Sequence, residues 1–296
     1  MACYNPLRVW RSKTINETGK RSMVFNRSAA QFADQPQELP CGQCIGCRLE
    51  RSRQWAIRCV HEASLYENNC FLTLTYNDAN LPKNNTLVVK DFQNFMKRLR
   101  KKYPLQKIRF FQCGEYGDQY ARPHYHACIF NLDFPDKKQY SVRDGIPLYT
   151  SSILNALWPL GFCTIGEVTF DSAAYVARYI MKKITGEKSE EHYKNRKPEY
   201  TTMSRRPGIG KGWFDKYKKD VYNHDSVIIN GKKIRSPKFY DQIYDEQNPV
   251  HFEAIKNDRK YKSLQHKTDN TLSRLAVKEK IKLSKLSQLT RTLEEH

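Results

Sequence analysis

The chain has 296 residues, with 51 Lys and Arg against 31 Asp and Glu, a formal charge of +20 at neutral pH. No apolar run approaches the roughly 20 residues that a membrane-spanning helix needs, and Met1–Trp10 has no apolar core followed by a small-residue cleavage site, so neither a membrane-embedded nor a secreted protein is expected. So large a positive charge beside 39% hydrophobic residues points to a folded protein that meets a polyanion, most often nucleic acid.

Residues 1–40 read as polar and irregular. Nine cysteines, an odd number in a chain long enough to bury a core, suit a reducing cytosol better than a disulfide scaffold. Cys41, Cys44 and Cys47, with Cys59 one helix later, form a candidate structural zinc set. Loop residues and a packed helical thiol are the plainer alternative. From Arg48 to about Tyr66, Leu49, Ser52, Ala56, Cys59 and Ala63 recur on one face. That spacing predicts a helix that packs small residues and presents Arg51, Arg53 and Arg58.

Phe71-Leu72-Thr73-Leu74-Thr75 reads as a strand. Asp91 opens a helix with Phe92, Phe95, Met96 and Leu99 on one side and five Lys and Arg on the wet side, stopped by Pro104. Strands are predicted over 107–114 and 124–131, a short helix over 151–158 and a strand over 162–170. A helix capped by Asp171-Ser172 should run to about Ile184. The order β-α-β-β-α-β plus a helix is that of a split βαβ, ferredoxin-like α+β fold, an antiparallel sheet with helices on one face. Beyond Gly186, Asn230-Gly231 marks a hairpin within Val227–Arg235, and the last 45 residues read as charged helix. The surplus charge is not confined to a tail: residues 187–296 hold 25 basic and 16 acidic side chains, leaving more than half of the +20 upstream. The domain reading is an N-terminal Cys-containing segment with a basic helix (1–66), a central domain (67–186) and a basic C-terminal region (187–296).

His124-Tyr125-His126 lies on a predicted strand, so both imidazoles share a face and Tyr125 takes the other. If the hairpin is symmetric about residues 119 and 120, Glu115 lies opposite His124. One carboxylate and two imidazoles then suit Mg²⁺ or Mn²⁺, with positions left for phosphate oxygens. Otherwise Glu115 is a cross-strand charge partner for a histidine or for Arg122. Tyr175 and Tyr179 are i, i+4 neighbours, with Lys182 and Lys183 following on that side. Such pairs are commonly packing residues; here they follow the last strand, where a helix can cross the histidine face. A phenol, with a pKa near 10, needs a polarising cation and a nearby Lys to attack phosphate. Gly208-Ile209-Gly210-Lys211-Gly212 lacks the spacing of a nucleotide-binding P-loop. It reads instead as a basic loop, with Arg205, Arg206 and Lys211 on phosphates, and neither an ATPase nor a helicase is expected.

Glu115-Tyr116-Gly117, Arg122 to His126 and Tyr175 to Lys183 resemble the HUH endonucleases, the rolling-circle replication initiators. Cys41 to Arg48, Ser52 to Ala56 and Ser204 to Gly210 are similar to the initiator of gokushovirus-type Microviridae, small phages with circular single-stranded DNA. The likeness covers roughly residues 40–215. It implies His124 and His126 as metal ligands, Tyr175 and Tyr179 as nucleophiles, and Lys182 as the lysine that follows the tyrosine. The implied enzyme is a metal-dependent endonuclease and strand transferase. It nicks the viral origin, stays on the 5′ phosphate, leaves a 3′ hydroxyl for the host polymerase and reseals the displaced strand. The implied partners are viral circular DNA, double- and single-stranded, and the host replication machinery, in the bacterial cytoplasm and away from membranes. The competing reading is a non-catalytic single-strand-binding protein that stacks bases on Phe110 and Phe111. A relaxase or transposase would share the chemistry and differ in substrate.

Overall fold

The computed structural model describes residues 3–17, 19–117, 120–143, 145–178, 183 and 188–288. They divide into two compact units, Met1–Glu50 with Asn257–Leu289, and Arg51–Lys256.

In the first unit the segment expected to be irregular is a three-stranded antiparallel sheet. β1 (Leu7–Ile15) lies between β2 (Arg21–Val24) and β3 (Gln37–Leu39). Only Val9, Trp10 and Ser12 of β1 are buried, so the alternation that marks a half-buried strand is too short to stand out in the sequence. Trp10 fixes the following loop by donating from Nε1 to the Ala33 carbonyl at 3.1 Å. The same unit holds the start of α1 (Ile45–Ala63).

The second unit is built on a seven-stranded sheet. Along the chain come β4 (Asn69–Thr75), α2 (Val89–Lys102), β5 (Arg109–Tyr116) and β6 (Pro123–Phe130). Then follow β7 (Lys138–Arg143), β8 (Ile146–Thr150), α3 (Ser152–Leu157), β9 (Cys163–Gly166) and α4 (Phe170–Arg178). After α5 (Lys188–Tyr193), β10 (Tyr200–Met203) closes the sheet, whose order is β10-β5-β6-β4-β9-β8-β7 with every pairing antiparallel. The central strands, two helices after β4 and the β5–β6 hairpin fall where the sequence pattern puts them. The β7–β8 edge hairpin and β10 were not anticipated.

The helices do not lie on one face, as the split βαβ pattern suggested; they cover both. Leu72, Leu74, Tyr125, Ala127, Ile129 and Ile165 meet Phe92, Phe95, Met96 and Leu99 of α2 and Leu154 of α3. Phe71, Phe111, Cys113, Cys128 and Phe130, of opposite parity, meet Ala56 and Cys59 of α1 and Ala173, Ala174, Val176 and Ala177 of α4. A strand apolar on both faces reads as a continuous hydrophobic run, which is how Phe71 to Leu74 and Tyr125 to Phe130 look. Phe110 and Phe111 are therefore not a stacking platform: Phe111 is fully buried against Trp55, centroids 4.7 Å apart, and Phe110 packs on Phe92.

The small face of α1 lets it approach α4, and Ser52 Oγ donates to the Ala174 carbonyl at 2.9 Å. Its arginines are not all presented. Arg51 is exposed, but Arg58 is half-buried, stacks on Trp55 and Phe239, and donates from Nε to the Ile209 carbonyl. The other side of α1 carries a third core. There Ile57 meets α6 (Lys211–Asn223), the hairpin β11 (Val227–Ile229) and β12 (Lys232–Ile234), α7 (Lys238–Gln247) and the start of α8 (Pro249–Leu264). The β11–β12 hairpin turns at Asn230 and Gly231, both with positive φ, as the Asn-Gly signal required. The final helix, α9 (Leu272–Ser287), belongs to the first unit.

The Gly208–Gly212 segment is a packing element. Gly210 has φ +79°, and a Cβ there would lie 2.4 Å from the Tyr240 hydroxyl. Its N–H donates to Glu62 Oε2 at 2.7 Å, while the other carboxylate oxygen pairs with buried Arg109. Lys211 is held by Asp215 one turn on, and Arg205 and Arg206 are exposed.

Candidate metal centre

The site starts from strand pairing. β5 and β6 register so that Glu115 opposes His124, the relation inferred from hairpin symmetry. β4 lies on the other side of β6 and sets Thr73 opposite His126. Period-two alternation then sends His124 and His126 to the α1–α4 face and Tyr125 to the α2 face.

His124 Nε2 lies 2.9 Å and His126 Nε2 3.1 Å from the same oxygen, Glu115 Oε1. All three ligand atoms fall within 4.8 Å of one another, and all three residues are buried. The outer nitrogens are anchored too: His124 Nδ1 is 3.1 Å from the Arg122 carbonyl, and His126 Nδ1 is 3.0 Å from Thr73 Oγ1. A carbonyl accepts Nδ1–H and fixes the tautomer that leaves Nε2 available to a cation. His126 is further held by Phe71, stacked at 5.6 Å, and by an edge contact with Tyr175 at 4.9 Å. Burial pushes the Glu115 carboxyl up, but hydrogen bonds from His124 and His126 and their charges outweigh it and hold it well below the usual carboxylate range. Arg122 is not its partner; that side chain pairs with Asp78 at 2.8 Å.

Tyr125 is not a stray aromatic between two histidines. Its hydroxyl donates to the Val88 carbonyl at 2.8 Å and accepts from the Val88 N–H at 3.1 Å, at the start of α2. Tyr76, 2.8 Å away, in turn donates to Asp91. The ligand strand and α2 are thereby tied together from the side away from the histidines.

Tyr175 reaches the centre from α4. The helix starts one residue earlier than Asp171-Ser172 suggested. Thr169 Oγ1 accepts from the Ser172 N–H at 3.1 Å, Ser172 Oγ accepts from the Thr169 N–H at 2.8 Å, and Asp171 sits in the first turn. With Ala173, Ala174 and Ala177 packed against the sheet and α1, the Tyr175 hydroxyl donates to Glu115 Oε1 at 2.7 Å. A cleft of about 350 Å³ opens beside it, walled by Phe71, Thr73, His126 and Tyr175 on one side and Ile146, Pro147 and Leu148 of the β8 edge on the other. Tyr179 and Lys182 lie outside the described residues.

Two oxygen and nitrogen donor types, convergent and fixed from behind, suit a divalent cation of the Mg²⁺ or Mn²⁺ class. Sequence reasoning missed Thr73 and the β8 wall, because both depend on which distant strands become neighbours.

The cysteine grouping differs from the one read from spacing. Cys59 is buried on α1 beside Ala56, Cys128 and Ala173. Cys41, Cys44 and Cys47 are joined by Cys3 instead. A residue 38 positions upstream leaves no local spacing signal.

The family of ORF2-type replication-associated proteins matches residues 69–184. The chain is 37% identical over 261 residues to the replication-associated protein VP4 of Bdellovibrio phage phiMH2K, covering 84% of this chain and 79% of that protein. It is 34% identical over 281 residues to the replication-associated protein ORF2 of Spiroplasma virus 4, covering 88% and 86%. Against the replication-associated protein ORF4 of Chlamydia phage 1 the identity is 29% over 214 residues, covering 69% and 53%. No solved structure matches the chain. Among the described residues no helix is long and apolar enough to cross a membrane.

Proposed function

Because the chain belongs to the replication-associated proteins of the Microviridae, we propose that it starts phage genome replication by the rolling-circle route, as a tyrosine nickase and strand transferase of the HUH type. The observation that carries this is the meeting of Glu115, His124 and His126 with the Tyr175 hydroxyl on one oxygen. The finer architecture in this reading is a ferredoxin-like HUH domain over residues 67–186, between the 1–66 segment and a basic C-terminal region.

Glu115, His124 and His126 would hold a Mg²⁺ or Mn²⁺ ion, which when bound polarises the scissile phosphate as a Lewis acid. The depressed Glu115 carboxyl is a poor proton acceptor and a good ligand, so it acts by position and charge. The Tyr175 phenol oxygen attacks phosphorus, its proton leaves, and the bond to the 3′ oxygen breaks. That oxygen takes up a proton and departs as a 3′ hydroxyl, while the 5′ phosphate stays on the tyrosine. In resealing, the 3′ hydroxyl of the displaced strand attacks the phosphotyrosine and frees the phenol. Tyr179 serves as second nucleophile and Lys182 offsets the developing charge. The cleft between Tyr175 and β8 is large enough to take the nucleotide beside the scissile phosphate. Viral circular DNA is the substrate, host polymerase extends the 3′ end, and the work is done in the bacterial cytoplasm.

Incubation with a single-stranded oligonucleotide carrying the phage origin and Mn²⁺ should give an SDS-resistant protein–DNA adduct. If the Tyr175→Phe, Tyr179→Phe double variant still forms it, the nucleophile assignment fails. Variants Glu115→Ala and His126→Ala should bind the oligonucleotide and not cut it. Equal binding with and without chelator and no cleavage by the unaltered chain would favour a non-catalytic single-strand-binding protein.

A further inference from the structure

Four thiols meet in the first unit, away from any role in nicking. Cys3 precedes β1, Cys41 and Cys44 flank the turn before α1, and Cys47 sits in the first turn of α1. Their sulfurs all lie within 4.8 Å of one another, with Cys41 to Cys47 at 4.0 Å and Cys3 to Cys44 at 3.9 Å. A disulfide would need about 2.05 Å. A tetrahedron with metal–sulfur bonds of about 2.3 Å has edges of about 3.8 Å. The observed edges match the second geometry.

Backbone N–H groups point at these sulfurs. Gln43 and Cys44 donate to Cys41 Sγ at 3.5 and 3.3 Å, Cys41 donates to Cys3 Sγ at 3.2 Å, and Tyr4 donates to Cys44 Sγ at 3.3 Å. Donors aimed at sulfur favour the thiolate over the thiol. The unit also has little else to hold it. Besides these cysteines, its buried apolar side chains among the described residues are Val9, Trp10, Ala30 and Leu275. A sheet with so thin a core is the kind of structure that a metal staple stabilises.

We propose that Cys3, Cys41, Cys44 and Cys47 bind one structural zinc ion as four thiolates. Binding releases the four thiol protons and leaves a site of net charge −2. Four protein sulfurs fill the coordination shell, so the ion has no open position and takes no part in phosphate chemistry. Its task is to join the start of β1 to the start of α1. The assignment stands independently of the nickase reading, since it uses none of Glu115, His124, His126 or Tyr175.

The test uses the full chain, purified under reducing conditions and dialysed against EDTA to strip the carboxylate–histidine site. Elemental analysis should find one zinc per chain, released only when a mercurial blocks the thiols. Cys3→Ser should lose that zinc and Cys59→Ser should retain it. Should either variant fail to fold, X-ray absorption at the zinc edge of the unaltered protein decides, with four sulfur neighbours expected at about 2.3 Å. Fewer than four sulfurs, iron in place of zinc, a disulfide among these four cysteines, or zinc lost on Cys59→Ser and kept on Cys3→Ser would each overturn the proposal.

Discussion

The Tyr175 hydroxyl, on a helix, donates at 2.7 Å to Glu115 Oε1, on a strand sixty residues earlier, and that oxygen is also the point on which both histidine Nε2 atoms converge. A phenol so placed is positioned by the same atom that organises the ligand set. Anything that moves β5 against α4 disturbs nucleophile and metal site together.

Thr73 holds His126 from behind through Nδ1 at 3.0 Å. Thr73→Val keeps the shape and removes that partner. Metal affinity should fall about 10–100-fold, as for other groups that orient a ligating histidine. A Mn²⁺ titration by calorimetry reads this directly; an affinity within twofold of the unaltered protein would show that Thr73 does not orient the ring.

Tyr125→Phe separates stability from metal binding. It leaves the Val88 carbonyl and N–H without their hydroxyl partner on the buried side of the sheet. The expected cost is about 1–3 kcal/mol in urea unfolding. Mn²⁺ affinity should stay within twofold, because the side chain faces away from the histidines. A large drop in affinity with unchanged stability would reverse this assignment of faces.

Glu62 and Arg109 form a buried ion pair whose carboxylate also accepts from the Gly210 N–H, and Arg109 Nη2 donates to the Pro207 carbonyl at 2.7 Å. Glu62→Ala strands a buried guanidinium and should destabilise by about 3–5 kcal/mol. The double variant Glu62→Met, Arg109→Met should recover much of that loss, since no lone charge remains buried. Equal loss in the single and double variants, by denaturant unfolding, would show that charge burial is not the cause.

His61 is buried, stacked on Trp213 and 3.1 Å from the Tyr240 hydroxyl, and burial holds its imidazole down to about 3. The unfolded chain takes up that proton near pH 6.5, so protonation favours unfolding. The contribution is intact above pH 6.5 and is lost progressively as pH falls from there towards 3. Between pH 7 and pH 5 the loss is about 2 kcal/mol. His61→Gln should flatten the pH dependence of the unfolding free energy by that amount over this window. An identical slope in the variant would place the titration elsewhere.

Much of this was legible locally. Alternation in Phe71 to Thr75 and His124 to Asn131, the i, i+3, i+4, i+7 apolar set of α2 and the Asn-Gly turn each report structure within a few residues, where period and turn chemistry act. The Glu115–His124 pairing was also legible, because a hairpin fixes its own register. Helices on both faces were not. An apolar run does not state how many layers cover it, and the small faces of α1 and α4 gain meaning only when the two helices meet. The exposed position assumed for Phe110, Phe111 and Arg58 failed for the same reason, since burial depends on what packs above a residue.

The sequence by itself determined the chemistry available to this protein: two imidazoles on one strand face, a carboxylate opposite, a phenol on the helix after the last strand, and a basic chain to meet phosphate. Each follows from spacings along the backbone. Only the tertiary structure decided which distant residues complete those groups: Thr73 behind His126, the β8 wall of the cleft, and Cys3 in place of Cys59 beside Cys41, Cys44 and Cys47. Such pairings join segments tens of residues apart, and their free energy comes from the packing of whole elements, which no local period encodes.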